Sequence, residues 1–151
     1  NGQVGGWGAL RRRVEAMIPD SLYDMRQGST DSEAILLVAM ADGLKEDPAA
    51  AIGRTLGRLH GMMLEAGVTA ALRFTAALTD GASIWAFRWA SDDRPPTLYW
   101  REDARGLIVV SEPIDTETAD WHAIPAGHYV VAEPGEPVRV AEMRVPVPEA
   151  V

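Results

Sequence analysis

The sequence predicts an α+β domain. Three observations carry this: helical apolar spacing confined to the stretch before Gly67, a switch to a two-residue period from Ala70 onward, and turn chemistry between the later apolar runs. Leu10, Val14, Met17 and Ile18 share one helical face opposite Arg11, Arg12 and Glu15, and Pro19 ends that helix. Arg11-Arg12-Arg13 then falls on the solvent side, as an exposed helix face. Thr30 and Glu33 have capping-box spacing: the hydroxyl accepts from a first-turn amide, and the carboxylate reaches back to the cap amide. The run from Ala34 to Ala41 is apolar almost all round, which predicts deep burial, with Gly43 as its end. Asp47-Pro48 announces a third helix with the stripe Ile52, Leu56, Leu59, Met63 and a stop at Gly67. Gly53, Gly57 and Gly61 recur at four-residue spacing, so a neighbouring helix or sheet approaches closely there. His60 lies among them as an ordinary helix histidine, since no second His or carboxylate has matching spacing.

Leu72, Phe74, Ala76 and Leu78 alternate, Asp80-Gly81 supplies a tight turn, and Ser83 to Ala90 returns as a second strand. Trp85, Phe87 and Trp89 line one face and Ile84 and Ala86 the other, so both faces should be covered. Asp92 to Pro96 is a loop. Leu98–Trp100, Leu107–Val110, Tyr129–Val131 and Val138–Val140 read as further short strands, with a turn at Gly135. Pro146-Val147-Pro148 is expected to fray.

At 151 residues the chain can bury a real core, and an apolar share of 47% with 24% charged residues excludes a disordered or collagen-like chain. The formal charge of -8 repels phosphate backbones and anionic lipid, so no nucleic-acid partner is expected. No apolar run approaches the roughly 18 residues of a membrane span, and a soluble, cytoplasmic protein with no membrane partner is expected. With zero cysteines, this chain itself holds no disulfide, no thiolate zinc site and no thiol nucleophile.

The chemistry read from residues alone is thin. His60, His122 and His128 form no metal-binding pattern, so no metal or cofactor is expected. Ser111, His122 and Asp115 could supply a Ser-His-Asp set, but nothing around Ser111 resembles a nucleophile elbow. Asn1-Gly2 pairs a side-chain amide donor with a flexible backbone amide, a combination suited to an oxyanion. Asp31, at the mouth of an apolar helix, is either a first-turn acid facing the helix dipole or a carboxylate that holds an ammonium group.

Several blocks occur in a telling order: Asn1-Gly2, Gly28-Ser29-Thr30-Asp31-Ser32-Glu33, Leu78-Thr79-Asp80-Gly81, Val110-Ser111-Glu112-Pro113-Ile114-Asp115, then Trp121 and Ile124-Pro125-Ala126-Gly127. Together they resemble the class II glutamine amidotransferases, the N-terminal-nucleophile group with a four-layer αββα sandwich of mostly antiparallel sheets and flanking helices. The likeness is strongest to compact, stand-alone members, including the type that removes a γ-glutamyl group in ergothioneine biosynthesis. It spans roughly Asn1 to Glu133, which implies a partial domain over residues 1–142 and a tail over 143–151.

Carried over by position, the resemblance implies that Asn1 is the oxyanion-hole asparagine and that Gly2 adds a backbone donor while leaving room for substrate. Asp31 then receives the α-ammonium group of glutamine or another γ-glutamyl amide, the small-molecule partner. Thr30 and Glu33 fix the helix start that aims it. Ser111, Glu112, Trp121 and Gly127 match the pattern as fold-keeping residues. The catalytic cysteine of the family and the arginine region that grips the substrate carboxylate find no counterpart, and none of Arg11, Arg12 and Arg13 stands at that motif position. The chain is therefore expected to be the larger, C-terminal part of such a domain, inactive alone, with the missing N-terminal segment as its partner. Uncovered sheet edges would favour a homo-oligomer. Two other readings stand beside this one: a degenerate, non-catalytic domain of the same fold that binds or scaffolds, and an unrelated acidic α+β interaction domain.

Overall fold

The computed structural model describes residues 2–103, 106–115 and 120–146, with backbone alone for Gly2 and Gln3. Contacts divide the chain into two compact units, one built from Leu72–Met143 with Gly2, the other from Gln3–Ala71 with residues 144–146. Two antiparallel sheets and a set of helices make this the α+β class that the change of period predicts. Among the described residues, no helix is long and apolar enough to cross a membrane.

The helical unit contains α1 (Trp7–Glu15), α2 (Asp20–Tyr23), α3 (Asp31–Ala41) and α4 (Pro48–Glu65). Its core takes Leu10 and Val14 from α1, Ala34, Ile35 and Val38 from α3, and Ile52, Leu56, Leu59 and Met63 from α4, all buried. These are the apolar positions of the sequence stripes, now packed against one another. Two expectations need correction. Leu36 on α3 is 44% exposed, so the helix is not buried all round. The close approach to α4 is made by neither a helix nor a sheet but by residues 144–146, which belong to no regular element. A Cβ added at Gly53 would stand 2.2 Å from the Arg144 carbonyl oxygen, and one at Gly57 would stand 2.6 Å from that of Pro146. Only a residue without a side chain lets that backbone lie so near the helix. Val147 and Pro148, expected to fray, lie outside the described residues.

The remaining strands are β1 (Gly2–Val4), β2 (Leu72–Thr79), β3 (Ile84–Ala90), β4 (Tyr99–Asp103), β5 (Gly106–Val110), β6 (His122–Ala123), β7 (His128–Ala132) and β8 (Arg139–Glu142). They form a five-stranded sheet in the order β1-β2-β3-β7-β8 and a three-stranded sheet in the order β5-β4-β6. The β2–β3 hairpin pairs Thr79 with Ile84, so its loop is four residues long, not a two-residue Asp-Gly turn. Asp80 organises that loop by accepting from the Ser83 amide at 2.7 Å and the Ala82 amide at 2.9 Å. Those amides, the Ser83 bond first, hold the Asp80 carboxyl below its usual range.

Both faces of β3 are covered, as the alternation requires. Ala86 joins Leu98, Ile124 and Val130 in a buried cluster between the sheets, flanked by Trp100, Leu107, Val109 and Val138. Phe87, pointing the other way, is fully buried and stacks on Tyr129 with 5.8 Å between ring centroids.

Candidate functional site

Helix α3 starts where its cap chemistry says it should. Thr30 has extended backbone angles, and its side-chain oxygen accepts from the Glu33 amide at 3.3 Å. Asp31 is therefore the first helical residue, and its carboxylate is half-buried. One oxygen, Oδ2, accepts from the Val4 amide at 3.2 Å. The other, Oδ1, accepts from the Ser32 amide at 2.8 Å and stands 3.4 Å from the Ser32 hydroxyl. The Val4 bond joins the end of β1 to the start of α3 within the helical unit. Among the described residues, none of the ion pairs formed in the structure involves Asp31. A carboxylate offers about four lone-pair sites. Three are used by uncharged donors, so the group keeps acceptor capacity, and its charge meets no cation among the described residues.

Glu33 departs from the predicted capping box. Its two oxygens reach past the cap residue to the Gln27 amide at 2.8 Å and the Gly28 amide at 2.9 Å. The Gln27 bond is the main reason that the Glu33 carboxyl is held below its usual range; desolvation opposes it, while Gly28 and Arg26 add to it. The carboxylate thus ties down the whole approach to Asp31 rather than closing on one residue.

Arg26, which no sequence pattern singles out, stands at the centre of that approach. Its guanidinium contacts Glu15 Oε1 at 2.7 Å through Nη2 and 3.0 Å through Nε, Glu33 Oε2 at 3.4 Å and the Thr30 carbonyl at 3.4 Å. The Trp7 indole N–H donates to the Ser29 carbonyl at 3.4 Å. Glu15 and Glu33 sit on two different helices and Arg26 on neither, so only the folded chain displays the set.

Of the other sequence candidates, Asn1 lies outside the described residues, and Gly2 is the first residue of β1. Asp115 and His122 each have partners outside the Ser-His-Asp set that the sequence could supply. The Asp115 carboxylate accepts from Arg101 at 2.8 Å and from the Trp121 indole at 2.9 Å, and His122 packs on the Trp100 ring at 4.7 Å. The Arg101 guanidinium also lies 4.5 Å above the Trp121 ring. Trp121 is buried in that cluster and Glu112 is bonded to Thr97, in line with fold-keeping roles. Gly127 adopts φ 72° and links the Arg88 carbonyl to the Met143 amide through its own N–H and carbonyl. Arg11, Arg12 and Arg13 are exposed, as the amphipathic pattern of α1 predicts.

No protein-family model and no curated protein matches the chain. A solved structure described as a glutamine aminotransferase class-II domain protein from Silicibacter pomeroyi is 36% identical to it, with a TM-score of 0.90. The match covers 97% of this chain and 66% of that one, so the chain spans just under two thirds of that relative's length. The fold, the identity and the ordered blocks agree: the chain belongs to the class II glutamine amidotransferase domain family, with a fold of the N-terminal-nucleophile hydrolase type.

Proposed function

We propose that the full-length protein is a glutaminase-type amidohydrolase or amidotransferase acting on a γ-glutamyl amide, and that this chain supplies part of its pocket. The γ-amide carries no charge, so recognition must grip the zwitterionic end of the substrate. In this reading Asp31 receives the α-ammonium group. The observation that supports it is the Asp31 carboxylate itself, fixed by the Val4 and Ser32 amides and joined to no cation among the described residues. The Val4 bond also ties Asp31 to the strand that Gly2 opens.

The nucleophile in this proposal is a cysteine upstream of Asn1. Its sulfur attacks the γ-carbonyl carbon, and the C=O bond becomes a C–O⁻ single bond. The Asn1 side-chain amide and the Gly2 N–H donate to that oxyanion, where losing one donor typically costs about 2.7–4 kcal/mol in the barrier. Collapse expels ammonia or an amine, which takes the proton first removed from the thiol by the cysteine's own α-amino group. Water then cleaves the thioester and leaves a γ-carboxylate.

The test is ammonia and glutamate release from glutamine by the full-length protein. Release that disappears when the upstream cysteine is replaced by alanine supports the reading. A full-length protein that folds, binds no glutamine and releases nothing contradicts it and favours the binding or scaffold module.

A further inference from the structure

We infer that Arg26 is a positioning residue for ammonium recognition, and that through Asp31 it makes the site selective for γ-glutamyl amides bearing an α-ammonium group; this rests on the function proposed above. Arg11 and Arg26 both contact Glu15 Oε1, yet their side chains are 45% and 6% exposed. Arg11 is a surface partner of the kind that contributes little. Arg26 is enclosed, and its donors reach Glu15 on α1, Glu33 on α3 and the Thr30 carbonyl at once.

Thr30 is the residue immediately before Asp31, with Cα atoms about 3.8 Å apart across one rigid peptide plane. Through contacts of 3.4 and 3.5 Å, Arg26 steadies the Thr30 carbonyl and with it the peptide plane from which the Asp31 side chain leaves the helix. The Glu33 carboxylate, paired with Arg26, holds the Gln27 and Gly28 amides, so the turn from 26 to 30 is closed at both ends. A charge-assisted N–H···O bond tolerates only a few tenths of an ångström around about 2.8 Å. A turn that relaxed by about 1 Å would leave Asp31 charged and present but wrongly aimed. A lysine at position 26 supplies charge to Glu15 but, having a single nitrogen, cannot span all three partners.

The experiment measures steady-state kinetics of the full-length protein on glutamine and on its des-amino analogue, glutaric acid monoamide. The readout is the ratio of the two kcat/KM values. Arg26→Lys should raise KM for glutamine about tenfold with kcat little changed and leave the analogue unaffected, so the preference for glutamine falls about tenfold. Arg26→Gln should do the same wherever thermal melting shows it folded. Glu15→Gln, which loosens Arg26 from the far side without touching the turn, should lower the ratio by a smaller factor. Asp31→Asn is the control that separates the two claims. If Asp31→Asn lowers the ratio while folded Arg26→Lys keeps the wild-type value, the positioning role is overturned and the proposed function stands. If Asp31→Asn keeps the wild-type ratio, the proposed function falls and the positioning role falls with it.

Discussion

Two aspartates from the family-like blocks end in opposite situations. Asp115, in the sheet unit, gives one oxygen to Arg101 at 2.8 Å and the other to the Trp121 indole at 2.9 Å. Its charge is matched by a guanidinium that is itself only 13% exposed. Asp31, in the helical unit, is held by backbone amides and a serine, and its charge is matched by nothing among the described residues. Residue type does not separate them, and the more exposed of the two, Asp115, is the one with a cationic partner. What separates them is that the counter-charge of Asp115 is built into the fold while Asp31 has none among the described residues; in the proposed function the substrate's ammonium group supplies it.

The comparison can be broken from either side. In the proposed function, Asp31→Ala in the full-length protein removes an ammonium acceptor worth about 1.5–3 kcal/mol, so KM for glutamine should rise about 10- to 150-fold, and the loss of the Val4 and Ser32 bonds should lower stability by about 1 kcal/mol. Asp115→Asn should act on stability alone. It strands the largely buried Arg101 charge, and denaturant unfolding should show a loss of about 1–3 kcal/mol with KM unchanged, the partial exposure of the pair keeping the cost at that level. A KM effect at Asp115, or an unchanged KM at Asp31, would erase the distinction drawn here.

The helices and the β2–β3 hairpin were legible because their signals are local: a cap hydroxyl at Thr30, proline after Asp47, a period of two after Ala70. β1, α2 and β6 were not, since three, four and two residues are too short for any period to show. The glycine column of α4 announced a close approach but not its partner, because residues 144–146 belong to no regular element and carry no pattern of their own. The cap that makes Asp31 the first residue of α3 was legible from its block. Arg26 was not, because it bonds to Glu15 eleven residues back and Glu33 seven ahead, and only the packing of α1 beside α3 makes those three neighbours.

Smaller effects sharpen the account of the α3 start. Thr30→Ala removes the cap acceptor for the Glu33 amide and should cost about 1 kcal/mol in stability, read by thermal or denaturant unfolding. An acid titration of stability probes the carboxylates around Arg26. Glu33 is held below its ordinary value of 4.5, chiefly by the Gln27 amide, and Glu15 below the same value, chiefly by Arg11 and then Arg26. A folded-state value lower than the unfolded one means that protons bind the unfolded chain more readily. The stabilisation is therefore complete above the unfolded value and is lost as pH falls through the folded values. Glu33→Gln should flatten that part of the curve, and an unchanged slope would show that the Gln27 and Gly28 bonds contribute nothing to it.

The most direct measurement is a crystal structure of the full-length protein with its nucleophile removed and glutamine bound. The account predicts the α-ammonium nitrogen about 2.8 Å from an Asp31 carboxylate oxygen, with the Val4 and Ser32 bonds intact. Glutamine seated with its ammonium group on any other acid, and Asp31 facing only water, would contradict it.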